Sequence, residues 1–143
     1  MRTAHFTAFE ARVKARVSAL ASKTYDGDAP LNTDGTVKRE TYLILHDFGF
    51  DEQNDERLSV TVQDAADGTY RVVVRVVATT RAAVRSVVDA VKTAMVGQVL
   101  TIAGRICGPL AVEPGPNPVE RDDDVSPPLF WADLDFIWRS TRA

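Results

Sequence analysis

The chain has 143 residues, of which 45% are hydrophobic and 26% charged, and its formal net charge is −3. This composition is typical of one globular domain and excludes a disordered or collagen-like chain, and charges interrupt every apolar run before it reaches the length of a membrane span. The acidic balance argues against duplex nucleic acid as the main ligand, and the single cysteine, Cys107, fits a reducing cytoplasm.

The N-terminal segment is predicted to form a helix from about Thr3 to Ser22. Apolar residues at spacings of three and four define one stripe, namely Phe6, Phe9, Val13, Val17 and Leu20. Alanines form a second stripe on nearly the opposite side, with Arg12 and Arg16 between the two. Such a stripe would let a second helix or a neighbouring subunit approach closely, or it reflects only the high helix propensity of alanine. Residues 24–38 are rich in turn formers and predict a connector.

A short apolar strand is predicted at Tyr42–His46. The following residues, 49–57, are polar and acidic apart from one aromatic, which predicts an exposed loop. We take Phe50, Asp51 and Glu52 of this loop as candidate contact residues, because exposed loops commonly carry binding residues.

Two further strands are predicted around a turn. Leu58–Gln63 alternates apolar and polar residues, as a half-buried strand does. Asp67-Gly68 is a strong signal for a tight hairpin, and Thr69–Ala78 follows it as a strand. The residues expected on the apolar face of that strand are Tyr70, Val72, Val74 and Val76.

A second helix is predicted from about Arg81 to Val96. Thr79 or Thr80 is positioned to cap its start, and Gly97 lies where a left-handed terminating residue belongs. Its apolar stripe is narrow and consists of Val84, Val87, Val88, Val91 and Met95.

The remainder of the chain predicts strands and one long loop. A strand pair, Val99–Ala103 and Arg105–Val112, is expected to turn at Gly104, and residues 113–128 contain five of the seven prolines and predict a stiff exposed loop. The last strand, Leu129–Arg139, places Phe130, Ala132, Leu134, Phe136 and Trp138 on one face. We therefore expect a single domain over residues 1–143 with an α+β fold, a mostly antiparallel β-sheet carrying both helices on one face.

A search for catalytic constellations favours no enzyme and no cofactor. The chain has two histidines, His5 and His46, and no zinc-binding spacing, phosphate-binding glycine loop or nucleophile elbow. Cys107 lies in an apolar run and is expected to be a buried, inert thiol. His46, at the end of a strand, is expected to have a hydrogen-bonded structural role.

Charge is distributed unevenly, with a net +4 over residues 1–23 and a net −6 over residues 113–135. The most concentrated part is Arg121-Asp122-Asp123-Asp124, where three adjacent carboxylates repel one another. Three interpretations remain open: a contact with another subunit or partner, a solvated loop, or a site for a divalent cation.

The chain closes with this Arg121–Asp124 run, a short spacer and a strand that contains Ala132-Asp133-Leu134. Together with the order of a short helix, a β-meander and a helix after the central strand, this pattern resembles the tail terminator proteins of long-tailed, lambda-like phages. Residues 125–130 (VSPPLF) also look like part of small tail proteins from phages of actinobacteria, and the Val-, Ala-, Arg- and Asp-rich composition is consistent with a high-GC host.

The resemblance implies a virion structural protein that forms a ring, a hexamer in this family, on the end of the tail tube. Such a ring stops polymerisation of the tail tube protein and offers the docking surface for the head–tail connector protein. The family is assembled in the host cytoplasm and lies at the head–tail junction, with DNA passing through the lumen without specific binding and with no membrane partner.

A ring needs a contact between two different patches of neighbouring copies. Arg12 and Arg16 on the first helix, and Arg121 to Asp124, are candidates for complementary patches, with Asp122–Asp124 at or near a subunit or tube contact.

Two other interpretations stay open. The chain could be a different head–tail joining or tail-tube protein, although no long stacking arm is evident in the sequence. It could also be a small ligand-binding α+β domain in which the two aromatic-rich strands line an apolar pocket.

Overall fold

A computed structural model describes residues 2–52 and 67–143, apart from the side chains of Asp51 and Glu52. The described residues form an α+β fold of two α-helices, one 3-10 helix and seven strands. The helices are α1 (Arg2–Arg16) and α2 (Arg81–Met95), and the 3-10 helix covers Ser18–Lys23. The strands are β1 (Thr24–Asp26), β2 (Tyr42–Glu52), β3 (Gly68–Ala78), β4 (Arg105–Cys107), β5 (Ala111–Val112), β6 (Glu120–Asp122) and β7 (Leu129–Arg142).

The strands form one sheet in the order β1-β2-β3-β7-β4, with β5 and β6 also paired to β7. Every pairing is antiparallel except that of β1 with β2. The mostly antiparallel sheet predicted from the sequence is therefore confirmed.

The outer edge of β7 is shared by three short strands. β6 pairs with its first residues, β5 with its middle and β4 with its last residues. The turn predicted at Gly104 is present, since the Arg105 N–H donates to the Ile102 carbonyl at 3.1 Å, but the predicted strand pair around it is wrong, because the two segments share a single bridge, Val99 to Pro109. The long β7 edge offers these short segments more hydrogen-bonding partners than they offer one another.

Both helices pack on one face of the sheet, as predicted. The alternation along β3 and β7 directs one set of side chains toward the helices, and these are almost completely buried: Tyr70, Val72, Val74, Val76, Ala132, Leu134, Phe136 and Trp138. From α1, the Phe9 ring stacks on Trp138 with 5.5 Å between centroids and 2° between planes. Burial of these large rings supplies most of the packing energy that holds α1 on the sheet.

The opposite face of the sheet is partly polar, and its charges are paired across strands. Arg75 forms a two-pronged contact with Asp133, at 2.9 and 3.0 Å, and its guanidinium lies 3.9 Å from the centroid of the Trp131 ring. Arg71 bonds both Asp135 and Glu113. Cross-strand ion pairs of this kind fix the register of β3 against β7.

Helix α1 ends six residues earlier than the sequence predicts. Val17 leaves helical geometry with φ −109° and ψ 60°, and the chain continues as the 3-10 helix. Val17 and Leu20 still pack against the core. The tighter 3-10 turn keeps these apolar residues on the sheet side while it leads the chain into β1.

Strand β2 is longer than predicted because of a β-bulge. Its pairing with β3 shifts between Asp47 and Gly49, where Gly49 has φ +83° and Phe48 is 64% exposed. The extra residue shifts the alternation of the strand by one position, so that Phe50 packs against the core. The exposed loop predicted for residues 49–57 is therefore wrong for its first four residues, including Phe50, Asp51 and Glu52, which belong to β2.

The tight hairpin predicted at Asp67-Gly68 is also wrong. Gly68 lies within the sheet, paired with Glu52 on one side and Ser140 on the other. The strand predicted at Leu58–Gln63 lies outside the described residues, as does the rest of the 53–66 segment.

Helix α2 begins and ends where the sequence predicts. The Thr80 hydroxyl accepts a hydrogen bond of 3.1 Å from the Ala83 N–H, and Gly97 has φ +86° just beyond the last turn. Val84, Val91 and Met95 of the predicted stripe are fully buried. None of the described helices is both long and apolar enough to cross a membrane.

The predicted 113–128 loop is interrupted by β6. Arg121 and Asp122 therefore lie in a short strand, because Glu120–Asp122 pairs with residues 129–131. Most of the remaining loop is exposed to solvent.

The capping contact at Thr80 gives a direct test of this fold. We expect Thr80→Ala to lower the free energy of unfolding by about 1 kcal/mol, because the Ala83 N–H loses its acceptor. Thr79→Ala removes an exposed hydroxyl one residue earlier and should change stability by no more than a few tenths of that amount. Urea unfolding followed by circular dichroism measures both, and equal losses in the two variants would show that Thr80 is not the cap.

Candidate interaction surfaces

The Arg121–Asp124 run begins in β6 and continues into a turn, and one ion pair within it offsets part of its charge. Arg121 Nε donates to Asp123 Oδ1 at 2.6 Å, and the Asp124 N–H donates to Asp122 Oδ1 at 3.0 Å. Asp122 is half-buried, whereas Asp123 and Asp124 are exposed. The repulsion that made this run conspicuous in the sequence is thus partly relieved by an ion pair and a turn.

Asp122 also acts on groups of the sheet. The pKa of Tyr42 is raised, first by burial and then by the negative charge of Asp122. The pKa of Arg75 is raised mainly by its hydrogen bond to Asp133, with a smaller contribution from Asp122. Among residues 2–52 and 67–143, no three His, Cys, Asp or Glu side chains are grouped so as to hold a metal ion.

Arg12 and Arg16 lie beside the carboxyl end of α2. Arg12 Nη1 donates to Gln98 Oε1 at 2.9 Å, and Arg16 Nε donates to the Ala94 carbonyl at 3.4 Å. Cations are favourable here because the last carbonyls of a helix carry partial negative charge. Within the chain, these arginines therefore help to hold α1 against α2.

The predicted basic and acidic patches lie at opposite ends of α2. At the amino end of this helix, Arg81 donates to the Val119 carbonyl at 2.8 Å, immediately before β6. At the carboxyl end, Ala94 and Gln98 contact the arginines of α1. A helix of 15 residues is about 22 Å long, so the two patches are too far apart to pair within one chain.

The candidate residues of the predicted 49–57 loop do not form a projecting tip. The Phe50 ring is half-buried, with its centroid 5.9 Å from that of His5 and 6.3 Å from that of Tyr70. Phe50 is thus mainly a packing residue. Asp51 and Glu52 continue the same strand.

A polar cluster under the start of α1 was not identified from the sequence. His5 is fully buried, with Nε2 2.8 Å from Ser140 Oγ, and Arg105 Nε donates to the same oxygen at 2.9 Å. The neighbouring Tyr70 hydroxyl donates to Asp47 Oδ1 at 2.6 Å, and Arg2 pairs with Asp47 at 2.9 Å. These contacts join residues far apart in sequence, which is why no local motif marks them.

The search for catalytic residues in the sequence also considered Cys107 and His46. Burial raises the pKa of the half-buried Cys107 thiol, against smaller lowering effects of Ser140 and Arg105, which favours the unreactive thiol form. The hydrogen-bonded role expected for His46 is not supported, since its Nε2 has no hydrogen-bond partner among the described residues.

A shallow groove runs between α1 and the segment after α2. We call it the α1 groove; its volume is about 610 Å³, and its lining consists of Thr3, Ala4, Thr7, Ala8 and Ala11 with Thr101, Ile102 and Ala103. The alanine stripe of the sequence signalled one wall of this groove. The other wall comes from residues about 90 positions away and could not be anticipated.

Comparison with known proteins adds a likeness in fold. No family model and no curated protein sequence matches the chain. A chain from the virion of a native gene transfer agent particle is similar in structure, with a TM-score of 0.60, 18% identity, and coverage of 94% of this chain and 95% of that chain. A second solved structure, of a protein designated only by a sequence code, has a TM-score of 0.60 and 16% identity, with coverage of 100% of this chain and 97% of that chain. At these identities the likeness shows a shared fold over nearly the whole chain.

The buried hydroxyl of Tyr70 leads us to predict that the protein loses stability at alkaline pH. The pKa of Tyr70 is raised well above the ordinary value of 10.0, mainly by burial and then by the hydrogen bond to Asp47. The contribution of Tyr70 to the free energy of unfolding is therefore complete below pH 10. It is lost as the pH rises further, because the tyrosine of the unfolded chain ionises first. Urea unfolding between about pH 9 and 11 should show falling stability.

The variant Tyr70→Phe should flatten the slope of the free energy of unfolding against pH, because the ionising hydroxyl is removed. It should also lower stability at neutral pH, because Asp47 loses a hydrogen-bond donor. Tyr42 has a raised pKa for the same first cause, so part of the slope should remain. Tyr42→Phe is the comparison variant and should reduce the slope less than Tyr70→Phe does, because the pKa of Tyr70 is the more strongly raised of the two. An unchanged slope in Tyr70→Phe would contradict this role.

Proposed function

We propose that the chain is a virion structural protein, and specifically the tail terminator of a lambda-like long-tailed phage with an actinobacterial host. The observation that supports a virion role most directly is the likeness in fold, over 94% of the chain, to a chain of a gene transfer agent virion. The more specific terminator role is supported by sequence resemblance, namely the Arg121–Asp124 run followed by a strand that contains Ala132–Leu134.

In this proposal the protein acts by shape and contact and catalyses no reaction. Copies form a ring, proposed to be a hexamer, on the end of the tail tube, where one face meets the tube protein and the other meets the head–tail connector. A net charge of −3 suits a ring around a DNA channel, because like charge keeps the passing DNA from adhering.

The placement of the charged patches is consistent with such a ring. The basic patch and the Arg121–Asp124 turn lie at opposite ends of α2, so each is available to a neighbouring copy. Two different patches at opposite ends of a subunit are what a head-to-tail ring contact requires.

Loss of the gene gives the first test. Without a terminator the tube protein continues to polymerise, so we expect headless particles with tubes longer than normal in electron micrographs of lysates. Supplying the gene in trans should restore tails of uniform length joined to heads. Normal tails without this protein would rule out the terminator role, and short tubes without elongation would instead favour the alternative of a tube or connector protein.

Location in the particle gives a second, independent measurement. Cryo-electron microscopy of purified wild-type particles should show the protein as a ring between the tube and the head connector. Density along the whole tube, or absence from the particle, would contradict the proposal.

The acidic turn is expected to contribute to assembly. Reversing Asp122, Asp123 and Asp124 together to lysine should reduce the yield of head-joined tails at least about tenfold, because the contact with the next copy or the tube becomes repulsive. Reversing Asp26, Asp28 and Asp89, which are exposed and do not line the cavity of Asp124, changes net charge equally and should leave assembly intact. Unchanged assembly in the first variant would count against this contact.

A further inference from the structure

The α1 groove is an apolar surface that the described chain leaves open. Its lining is made of small and apolar side chains, and the segment that leads into it carries Val96 and Val99, which are 50% and 49% exposed. Exposed apolar surface next to an open groove is characteristic of a protein contact.

The charge beside the groove restricts what can bind there. Arg12 and Arg16 follow the groove-lining residues along α1, and no carboxylate of the described residues lies within ion-pair distance of either. The other cations of α1 are compensated, since Arg2 pairs with Asp47 and Lys14 with Glu10. A fitting partner therefore presents an apolar group flanked by carboxylates.

The chain itself carries a surface of this chemistry at the other end of α2. Leu31 is 57% exposed, and its neighbour Asn32 lines one cavity of about 420 Å³ together with Asp124 and with Arg39, whose guanidinium donates to the Pro127 carbonyl. Glu120, at the start of β6, is also exposed and lines a second cavity with Trp131 and Asp133. Neither Glu120 nor Asp124 is in ion-pair contact with a cation of the described residues, whereas Asp123 is already paired with Arg121. We call Leu31, Glu120 and Asp124 the acidic surface.

We infer that the α1 groove of one copy receives the acidic surface of the next copy, with Leu31 against the groove and Glu120 and Asp124 facing Arg12 and Arg16. The two surfaces cannot meet within one chain, because α2, about 22 Å long, separates them. The contact is therefore heterologous and propagates from copy to copy. This inference rests on the proposed function in that ring formation is what the contact would serve.

Filling the groove tests the apolar half of this contact. Ala11→Trp places a large ring in the groove from an exposed position, and it should weaken self-association of the purified protein at least about tenfold in sedimentation equilibrium. Ala90→Trp, at an exposed position of α2, is the matched control and should associate as the wild type does. A wild type that remains monomeric up to millimolar concentration, or an Ala11→Trp variant that associates normally, overturns the inference.

Reciprocal charge reversal tests which surfaces meet. The variants Arg12→Glu/Arg16→Glu and Glu120→Arg/Asp124→Arg should each lose self-association, since each retains only one competent surface. In an equimolar mixture the unchanged groove of one variant meets the unchanged acidic surface of the other, and the two reversed surfaces are again opposite in charge, so self-association should be restored through both contacts. This rescue also shows that both variants are folded.

Other results of the mixing experiment contradict the inference. A mixture that stays monomeric shows that the two surfaces do not pair, and normal self-association of either variant alone shows that another contact drives assembly. Asp89→Arg, an exposed reversal elsewhere on α2, should leave association unchanged.

The contact and the proposed function can fail separately. A ring at the head–tail junction in cryo-electron microscopy, together with normal association of Ala11→Trp, rejects the contact and keeps the terminator role. Association through the groove in a protein that is absent from the particle rejects the role and keeps the contact.

Discussion

Strand β7 is the element on which the rest of the fold depends. It is 14 residues long and pairs with β3 on one side and with β4, β5 and β6 on the other. Its alternation also divides the molecule into a buried face under the helices and a partly charged face, since a strand sends successive side chains to opposite sides. A shift of one residue in its register would bury Asp133 and Asp135 under α1 and α2 and expose Phe136 and Trp138.

Several charged residues of the described chain are compensated by ion pairs inside the chain, which limits the residues that remain for the proposed contacts between copies. Arg71 and Arg75 are paired across strands, and Arg121 pairs with Asp123 in its own turn. Exposed pairs of this kind contribute little to stability, but they remove both partners from the set of unsatisfied charges. Arg12 and Arg16 at one end of α2, and Glu120 and Asp124 toward the other, have no ion-pair partner among the described residues, and this separation would give the proposed ring contact its direction.

The sequence indicated the most important features of the candidate surfaces but not their composition. The basic character of α1 and its alanine stripe are visible in the sequence, because a helix has a fixed periodicity. The groove beside that stripe needs residues 101–103, and the partial neutralisation of the acidic run needs the turn geometry of residues 121–124. The prediction of a loop at Phe50 fails because the acidic residues after it resemble a loop, while the alternation of the strand is interrupted at Gly49.

Local pattern was enough to establish the α+β class, the burial of Tyr70, Val72, Val74 and Val76, and the ends of α2, since periodicity and capping act between residues close in sequence. Only the folded chain could establish that β4, β5 and β6 pair with β7, that β2 continues through a bulge, and that His5 meets Ser140 under α1. Those outcomes depend on competition between segments far apart in the chain for the same hydrogen-bonding edge and the same buried space. A short stretch of sequence does not include all of the competing segments, so it cannot predict which of them pairs.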